Sequence, residues 1–309
     1  MIRETLEQAA ALDAEAAALT ESGAPEAALR RQELERRRSE LLAGCASLTA
    51  EDKVFLARHP KRPKLPEYID ALFTDFFEQR GDLLGKEDAS ILGGVALYKG
   101  LPVTVLGHRK GTSLTENMKY NFGMPGPEGY RKALRLMKQA EKFGRPVITF
   151  IDTPGAYPGQ EAEEHGQGEA IARNLAEMSR LTVPVIAVVT GEGSSGGALA
   201  IGVANRVLML ENAVYSVLSP EGFASILWKD AGRHAEACEL MKLTAQDLLE
   251  FGVVEEVIPE PLGGAQIDPN RLFAALDTAL SKNLAALRKM SGTALQNQRY
   301  KKYRLIGAG

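Results

Sequence analysis

The sequence has few of the residue types that mark metal, disulfide or membrane proteins. Its 309 residues include two cysteines, four histidines and one tryptophan. Cys45 and Cys238 have neither zinc-ligand nor disulfide spacing, which predicts reduced thiols and no metal site. No apolar run approaches the roughly 20 residues of a membrane span, and the charged N-terminus lacks a signal-peptide pattern. We therefore expect a cytoplasmic protein that does not associate with membranes.

The charge balance excludes a second class of protein. The net charge is −3, which argues against a nucleic-acid binder that works by neutralising phosphates. Apolar and charged fractions of 45% and 25% are those of an ordinary globular protein, and the length suffices for one substantial core. Composition and breaks in the pattern predict three parts: a helical arm over 1–60, a main domain over 61–264, and a C-terminal helix and tail over 265–309.

The pattern along the chain predicts helices at both ends and alternating strands and helices between them. The first 46 residues predict two helices broken near Pro25, and the stretch from Tyr68 to Arg80 predicts an amphipathic helix. A hairpin is predicted to turn at Lys99 and Gly100. Strands at 146–151, 185–189, 207–210 and 253–258 alternate with helices, which is typical of βαβ units and a parallel sheet. Residues 269–290 predict one long helix, and the tail beyond 291 is weakly patterned.

The stretch 184–202, PVIAVVTGEGSSGGALAIG, is the most informative in the chain. It predicts a buried strand, a glycine-rich turn and a helix through Ala198 to Ala200. Backbone N–H groups at a helix start lack partners and carry the positive end of the helix dipole, and glycine lets a ligand approach them closely. The turn therefore predicts a backbone cradle for an anion or oxyanion. Its residues are Gly193, Ser194, Ser195, Gly196 and Gly197.

Other interpretations of this turn stay open. A Walker phosphate loop is excluded, because Ala198 and Leu199 stand where Lys and Ser or Thr are needed. The pattern also matches the G-x-S-x-G elbow of serine hydrolases, with Ser195 as the nucleophile. That class needs a later histidine, and the only one is His234, in a charged surface stretch. A tight turn with no ligand is the structural alternative.

Two further loops are predicted to lie near the cradle. Strand 146–151 leads into DTPGAYPG, and both loops should emerge at the carboxyl edge of the sheet. Gly155 and Ala156 there are candidate backbone donors, and Tyr157 is a candidate binding residue. Arg109 and Lys110 lie on a cationic loop that suits an anionic substrate such as a carboxylate or a CoA phosphate, and a plain exposed loop is the alternative. The acidic stretch 161–169 fits a solvated helix start better than a metal site.

Four stretches together are specific enough to name a family. They are NFGMPGPEGYRKALRLMKQAEKFGRPVITFIDTPGAYPG, EAIARNL, GEGSSGGALAIG and YSVLSPEGFASILWK. With them the chain resembles the carboxyltransferase α subunits of bacterial acetyl-CoA carboxylases, from about Leu65 to Gly264, and the N-terminal arm also fits. The resemblance implies an α/β fold of the ClpP/crotonase type, with a β/α superhelical core, an N-terminal helical arm and a C-terminal helix.

The resemblance also implies the reaction and its participants. The family transfers the carboxyl group of carboxybiotin, held on a separate biotin carboxyl carrier protein, to acetyl-CoA, which gives malonyl-CoA for fatty acid synthesis. The α subunit is active only with a β subunit, in a tetramer of two α and two β chains, and zinc is expected on the β subunit. ATP is used by the separate biotin carboxylase. Alternatives are a different acceptor such as propionyl-CoA, the serine hydrolase, and a non-catalytic scaffold.

Within the family's mechanism, the backbone donors have a definite task. Negative charge develops on the ureido oxygen of biotin as the carboxyl group leaves, and fixed backbone donors stabilise it. The resemblance assigns these donors to Gly196 and Gly197, and also to Gly155 and Ala156. No protein base is required, since the freed biotin nitrogen takes the proton. Three residues depart from the usual family pattern: Ser194, Tyr120 and Leu83.

Overall fold

The computed structural model describes residues 2–22 and 25–307 and begins with a helical hairpin. Helices α1 (Ile2–Ser22) and α2 (Pro25–Ala43) confirm the two predicted helices, and the break between them lies largely outside the described residues. Ion pairs cross the hairpin, with Arg38 2.7 Å from Asp13 and Arg30 2.7 Å from Glu15. The base of the arm packs on the body in an apolar cluster, whose members include Ile2, Leu6, Ala9, Leu42, Cys45, Leu56 and Ile267.

A single mixed sheet of eight strands forms the centre of the body. The strands are β1 (Thr74–Glu78), β2 (Ile91–Tyr98), β3 (Leu101–His108), β4 (Val147–Thr153), β5 (Val185–Ser194), β6 (Arg206–Leu210), β7 (Val214–Ser216) and β8 (Glu256–Ile258). The order is β1-β2-β3-β4-β5-β6-β8, and β7 pairs with the end of β5. The first three strands are antiparallel and the others join in parallel, as the βαβ pattern predicts.

The remaining helices connect and cover these strands. They are α3 (Ala50–Ala57), α4 (Leu65–Leu72), α5 (Leu114–Lys119), α6 (Pro127–Lys142), α7 (Gln160–Glu164), α8 (Gln167–Arg180), α9 (Ser195–Leu199), α10 (Pro220–Trp228), α11 (His234–Met241), α12 (Ala245–Glu250), α13 (Pro269–Leu287) and α14 (Gly292–Leu305). Local signals explain several starts. Thr49 and Asp52 form a reciprocal capping box at α3, and Pro127 opens α6, where its missing N–H costs no helical bond.

The core lies between the strands β4 and β5 and the helices around them. Every residue of β4 is buried, and so are the first seven residues of β5, because both strands are paired on each side. The amphipathic helix α6 buries Tyr130, Leu136 and Met137. Each large apolar side chain removed from water in this way contributes about 1.5–3 kcal/mol of favourable transfer free energy. This core holds the carboxyl ends of β4 and β5 in fixed positions.

One sequence prediction about an element was wrong, and one stretch without a predicted element forms a helix. The helix predicted from Tyr68 to Arg80 ends at Leu72, and edge strand β1 follows it. The backbone changes at Phe73, which is extended and buried in the core, and β1 then pairs antiparallel with β2. The weakly patterned tail forms helix α14, because Ser291 caps its start and buried Leu295 fixes it to the body.

The segment that joins the arm to the main domain is anchored by a buried ion pair. The side chain of Arg62 is 1% exposed, and its Nη1 donates to Glu260 Oε2 at 3.0 Å. Its Nε also donates to the carbonyl oxygen of Thr190 in β5. Glu260 in turn accepts from the backbone N–H of Asn212 at 3.1 Å. The joining segment therefore contacts the central strand directly.

Candidate active site

In the glycine-rich turn, the strand extends further along the chain than the sequence predicts. Strand β5 continues to Ser194, after an irregularity that pairs Thr153 of β4 with Gly193. Ser195 then takes a left-handed conformation with φ of 58°, and α9 begins there. The predicted helix thus starts three residues earlier than expected and ends at Leu199. A helix of five residues has a small dipole, so the individual N–H groups matter more than the helix as a whole.

The two predicted donor loops are in backbone contact. A Cβ atom on Gly197 would lie 2.5 Å from the backbone nitrogen of Ala156 and 2.7 Å from the carbonyl carbon of Gly155. Only glycine therefore allows this approach. Gly196 differs, because a Cβ there would lie 3.5 Å from Ile171, an ordinary contact distance. The structure brings all four predicted donor residues to one place.

The donors are not equivalent. The N–H of Gly155 donates to Thr153 Oγ1 at 3.0 Å, and the same hydroxyl donates to the carbonyl oxygen of Gly155 at 2.8 Å. In the described part of the chain, no hydrogen bond uses the N–H of Ala156, Gly196 or Gly197. Ala156 and Gly196 are half-buried, so a ligand can reach them. The N–H groups of Ala156 and Gly196 are thus both unpaired and accessible, whereas Gly197 has an unpaired N–H but is buried.

Behind this contact lies a buried neutral histidine that sequence reasoning missed. His108 at the end of β3 is 2% exposed, and its Nδ1 accepts from the backbone N–H of Asp152 at 3.4 Å. Burial lowers the pKa of His108 to about 3, even though the Asp152 carboxylate favours the charged form. The imidazole is therefore neutral at physiological pH. In the sequence, a lone histidine at the end of a strand gives no signal that its side chain is buried and neutral.

A chain of alternating charges ties the loops together. Lys110 Nζ lies 2.7 Å from Asp152 Oδ1 and 3.5 Å from Glu192 Oε2. Glu192 Oε1 accepts from Arg58 Nε at 2.7 Å, and Arg58 Nη1 lies 2.6 Å from Glu221 Oε1. Asp152 Oδ1 also accepts from the backbone N–H of Glu192 at 3.0 Å. These ion pairs thus join the loop after β3 to the ends of β4 and β5 and to α10.

These ion pairs change the interpretation of Lys110. The sequence predicts that its ammonium meets an anionic substrate, whereas in the structure it pairs with two carboxylates of its own chain. Although burial opposes the charge, Asp152 and Glu192 raise the pKa of Lys110 above its ordinary value. Burial likewise disfavours the Asp152 carboxylate, but Lys110 and Lys64 hold the pKa of Asp152 below its ordinary value. The contacts of Lys110 show that it positions two carboxylates of its own chain. Substrate binding by Lys110 remains a prediction.

Arg109 and Tyr157 lie at the edges of the site. The guanidinium of Arg109 stacks on the ring of Tyr120, 4.3 Å from the ring centroid. Tyr120, which departs from the usual family pattern, therefore supports the arginine side chain. The side chain of Tyr157 is 37% exposed. It lines a cavity of about 310 Å³ together with Lys119, Asn121 and His165. Ligand binding by either residue stays a prediction.

A second cavity adjoins the glycine turn itself. It measures about 390 Å³ and is largely apolar, and its walls include Ser195, Gly196, Val217, Tyr215 and Tyr303. Tyr303 belongs to α14, which the sequence left without a predicted structure. The contribution of the C-terminal helix to this site was therefore missed.

The hydrolase alternative finds no support in the geometry. His234 contacts Glu51 at 3.3 Å, and Asp230 caps the backbone N–H of Gly232 at 2.9 Å. Among the described residues, no hydrogen bond joins Ser195 to a histidine. The elbow-like pattern therefore lacks the base that would activate its serine.

The described ranges hold neither a metal-ligand cluster nor a membrane-spanning helix. No group of three or more His, Cys, Asp or Glu side chains converges there as a metal site. Both cysteines are buried free thiols. No helix in these ranges combines the length and apolar character needed to cross a bilayer. The acidic stretch 161–169 opens with α7, where Glu161 pairs with Lys86 at 3.0 Å.

Comparison with known proteins identifies close relatives. A family profile described as "Acetyl co-enzyme A carboxylase carboxyltransferase-like" matches residues 4–307. The acetyl-coenzyme A carboxylase carboxyl transferase subunit alpha of Geobacillus sp. (strain WCH70) is 58% identical over 262 residues, which cover 85% of this chain and 81% of that protein. The protein of the same name from Listeria welshimeri is 56% identical over 277 residues, covering 89% and 87%.

Solved structures agree on the fold. The transcarboxylase 12S hexamer core aligns with a TM-score of 0.59 at 21% identity, over 77% of this chain and 45% of that one. A Pseudomonas malonate decarboxylase hetero-dimer aligns with a TM-score of 0.61 at 19% identity, over 77% and 94%. At such identities the likeness shows the fold alone, and it confirms the predicted crotonase-like α/β architecture.

Proposed function

Because this chain belongs to the family of acetyl-CoA carboxylase carboxyltransferase α subunits, we propose that it acts with a β subunit to transfer a carboxyl group from carboxybiotin to acetyl-CoA. The product is malonyl-CoA, the precursor for fatty acid synthesis. The single observation that carries the site assignment is the backbone contact between Gly197 and Ala156. It gathers three N–H groups without a partner in the described chain, which are those of Ala156, Gly196 and Gly197.

This donor set suits a group that gains negative charge during the reaction. Carboxybiotin, when bound, supplies the carboxyl group and a ureido oxygen on which negative charge develops. The chain's N–H groups are held by β4, β5 and α9, so they need not reorient as the charge develops. Loss of one such donor typically lowers the rate about 100- to 1000-fold. The largely apolar lining of the cavity beside Ser195 and Gly196 lowers the local dielectric constant, which strengthens these hydrogen bonds.

The charge chain has a positioning role in this proposal. Asp152 and Glu192 lie near the ends of β4 and β5, just before the two donor loops, and Lys110 bridges them. Because a salt bridge of this kind is desolvated, it holds both loops at a fixed separation. The residues therefore keep the Ala156 and Gly197 donors aimed at one point without touching the substrate.

The proposal extends to the assembly. We place biotin on a separate carrier protein, which a biotin carboxylase loads at the expense of ATP. The chain works in the cytoplasm in a tetramer of two α and two β chains, with zinc on the β subunit. Its own residues supply the oxyanion donors, and the partner completes the acyl-CoA site.

A reverse transfer assay tests this function. Malonyl-CoA and a biotin derivative are mixed with the purified chain alone, with its β partner alone, and with both. We expect carboxyl transfer only with both chains present. A stable complex that transfers nothing from malonyl-CoA but does so from methylmalonyl-CoA would instead support the propionyl-CoA acceptor. Full activity of the β chain alone would contradict the proposed role of this chain.

A further inference from the structure

A cavity separate from the one beside the glycine turn carries an unusual set of charges. It measures about 570 Å³ and lies between the end of α8 and helix α14. Arg180, Arg299 and Arg304 line it, and no Asp or Glu is among its lining residues. Three guanidinium groups around one space, with no carboxylate in the wall, make a strongly positive site.

Arg299 forms the floor of this cavity and is only partly satisfied. Its side chain is 0% exposed, and within the described residues its Nε and Nη1 have no hydrogen-bond partner. Only Nη2 donates, to the carbonyl oxygen of Leu181. A buried charged donor without a partner is costly, so it needs an explanation in the folded protein. Burial lowers the pKa of Arg299 to about 10, and the group is therefore still charged at neutral pH.

Glu141 does not neutralise the charge of Arg299. Glu141 influences Arg299 electrostatically, but its carboxylate is already engaged elsewhere. It accepts from Lys138 Nζ at 2.7 Å and from the backbone N–H of Thr182 at 2.9 Å. Arg180 and Arg304 at the rim are exposed, and neither takes part in an ion pair of the described chain. Arg180 and Arg304 are thus free to bind an anion, and the buried Arg299 keeps two unpaired donors.

We propose that this cavity binds a phosphate group. A guanidinium presents its N–H groups as a planar fork that matches two oxygens of a phosphate, and a dianion balances more of the positive charge than a carboxylate does. Asn297 and Tyr300 also line the cavity and offer an amide and a hydroxyl donor. The phosphate is either free phosphate or the 3′-phosphate of coenzyme A.

The position of the cavity links it to the donor loops. Tyr303 lines both this cavity and the apolar cavity beside Ser195 and Gly196. Its hydroxyl accepts from the backbone N–H of Ala204 at 2.9 Å, just after α9 and the turn that follows it. A bound phosphate therefore lies on the far side of one aromatic ring from the glycine turn.

Calorimetric titration with inorganic phosphate tests the site. The purified full chain is titrated at constant ionic strength, with chloride as the balancing anion, and compared with the double variant Arg180→Gln, Arg304→Gln. We expect saturable binding at one site in the unaltered chain, and at least about tenfold weaker binding in the variant, since each replaced guanidinium removes a charge-assisted hydrogen bond to the anion. Arg173→Gln is the matched control, because Arg173 lies on α8 outside the cavity and pairs with Glu169 at 3.1 Å. It should bind phosphate normally.

Arg299→Met separates binding from a structural role. If the guanidinium serves a phosphate, this variant loses phosphate binding without losing stability in phosphate-free buffer, because it removes a buried charge with unpaired donors. Phosphate should raise the melting temperature of the unaltered chain and leave that of the variant unchanged. A large loss of stability without phosphate, together with normal phosphate binding, would show that Arg299 is structural and would overturn its place in the site.

Coenzyme A and dephospho-CoA identify the source of the phosphate. Tighter binding of coenzyme A, with the difference abolished by the double variant, assigns the site to the 3′-phosphate. Equal binding of the two, with arginine-dependent binding of inorganic phosphate, assigns it to the free ion. Absence of saturable binding by any of the three, or binding that is indifferent to Arg180 and Arg304, would overturn the proposal. These outcomes are read without carboxyl transfer, so they do not depend on the proposed function.

Discussion

Gly197 and Ala156 touch through their backbones, and a Cβ atom on Gly197 would lie 2.5 Å from the Ala156 nitrogen. These two residues belong to loops that follow neighbouring parallel strands, β5 and β4. Their contact converts two separate turns into one set of donors. Adding a single methyl group at Gly197 is therefore a sharper test of the site than the bulky substitutions that the sequence alone would suggest.

Gly197→Ala should lower reverse carboxyl transfer by about 100- to 1000-fold, because the new methyl group separates the two loops and misaligns the donors. Overpacking of this kind also lowers the free energy of unfolding by about 1–3 kcal/mol. Gly196→Ala is the matched control, since its Cβ would lie at 3.5 Å from Ile171. It should retain most of the activity. Equal rates for the two variants, at equal assembly with the β subunit, would refute the assignment.

Thr153→Val should damage the donor loop without changing its shape. The substitution removes the hydroxyl that accepts from the N–H of Gly155 and donates to its carbonyl oxygen. The buried N–H is left unpaired, at a cost of about 1–3 kcal/mol in the free energy of unfolding. Urea denaturation measures this cost, and the transfer assay measures the loss of rate. Thr153→Ser keeps the hydroxyl and should restore both, so a serine variant as impaired as the valine variant would count against this role.

Lys110→Met should be strongly destabilising, because it leaves the buried Asp152 carboxylate without its main partner. Breaking one side of such a pair typically costs about 3–5 kcal/mol. The double variant Lys110→Met, Asp152→Asn removes both charges and should be more stable than the sum of the two single effects implies. Strict additivity in denaturant unfolding would show that the two residues do not act as a pair. A substrate-binding role for Lys110 would instead raise KM and leave unfolding unchanged.

The buried His108 should make the protein acid-sensitive well above the pH at which carboxylates titrate. Its pKa falls from 6.5 to about 3 on folding, so below pH 6.5 the unfolded chain binds a proton that the folded chain does not. The contribution of His108 to the free energy of unfolding is fully present above pH 6.5 and is lost as the pH falls toward 3. Between pH 6.5 and 5 this contribution should fall by about 2 kcal/mol.

The comparison with His108→Gln isolates this effect. Glutamine keeps an acceptor for the Asp152 N–H but does not titrate, so urea unfolding of the variant should depend less on pH between 7 and 5. His59 also has a lowered pKa, caused mainly by burial, and it remains in both proteins. An identical pH dependence for the two proteins would mean that His108 is not the sensor. Asp152 adds a similar acid loss at lower pH, because its pKa is also below its ordinary value.

The parts of the site that depend on local sequence could be predicted. A run of β-branched residues before several glycines marks β5 and its turn, and the spacing of the two loops places them at one sheet edge. The charge chain could not be predicted, because Arg58 and Glu192 lie 134 residues apart and nothing local signals their contact. For the same reason Lys110 looked like a free cation. The sequence gives the charge of a residue, but it does not show which residue pairs with that charge.

Element identity failed where packing overrides the local pattern. Phe76 and Phe77 continue a helical spacing of apolar residues, yet they lie in β1, since β2 offers backbone partners there. Helix α14 has few apolar residues, and its place is set by contacts of Leu295 and Tyr303 with distant parts of the chain. Both cases depend on neighbours that no sequence window contains.

The hydrogen bonds of Tyr303 have a consequence for how the protein is made. Its hydroxyl accepts from the N–H of Ala204 and donates to the carbonyl oxygen of Gly202, and so supports the segment that follows the donor loop. A ribosome synthesises α14 after every other described element, and chains begin to fold from the N-terminus during synthesis. The nascent chain can thus assemble its sheet early, but the proposed donor loop receives this support only when α14 emerges and docks. Newly made chains should become competent for catalysis in a distinct late step.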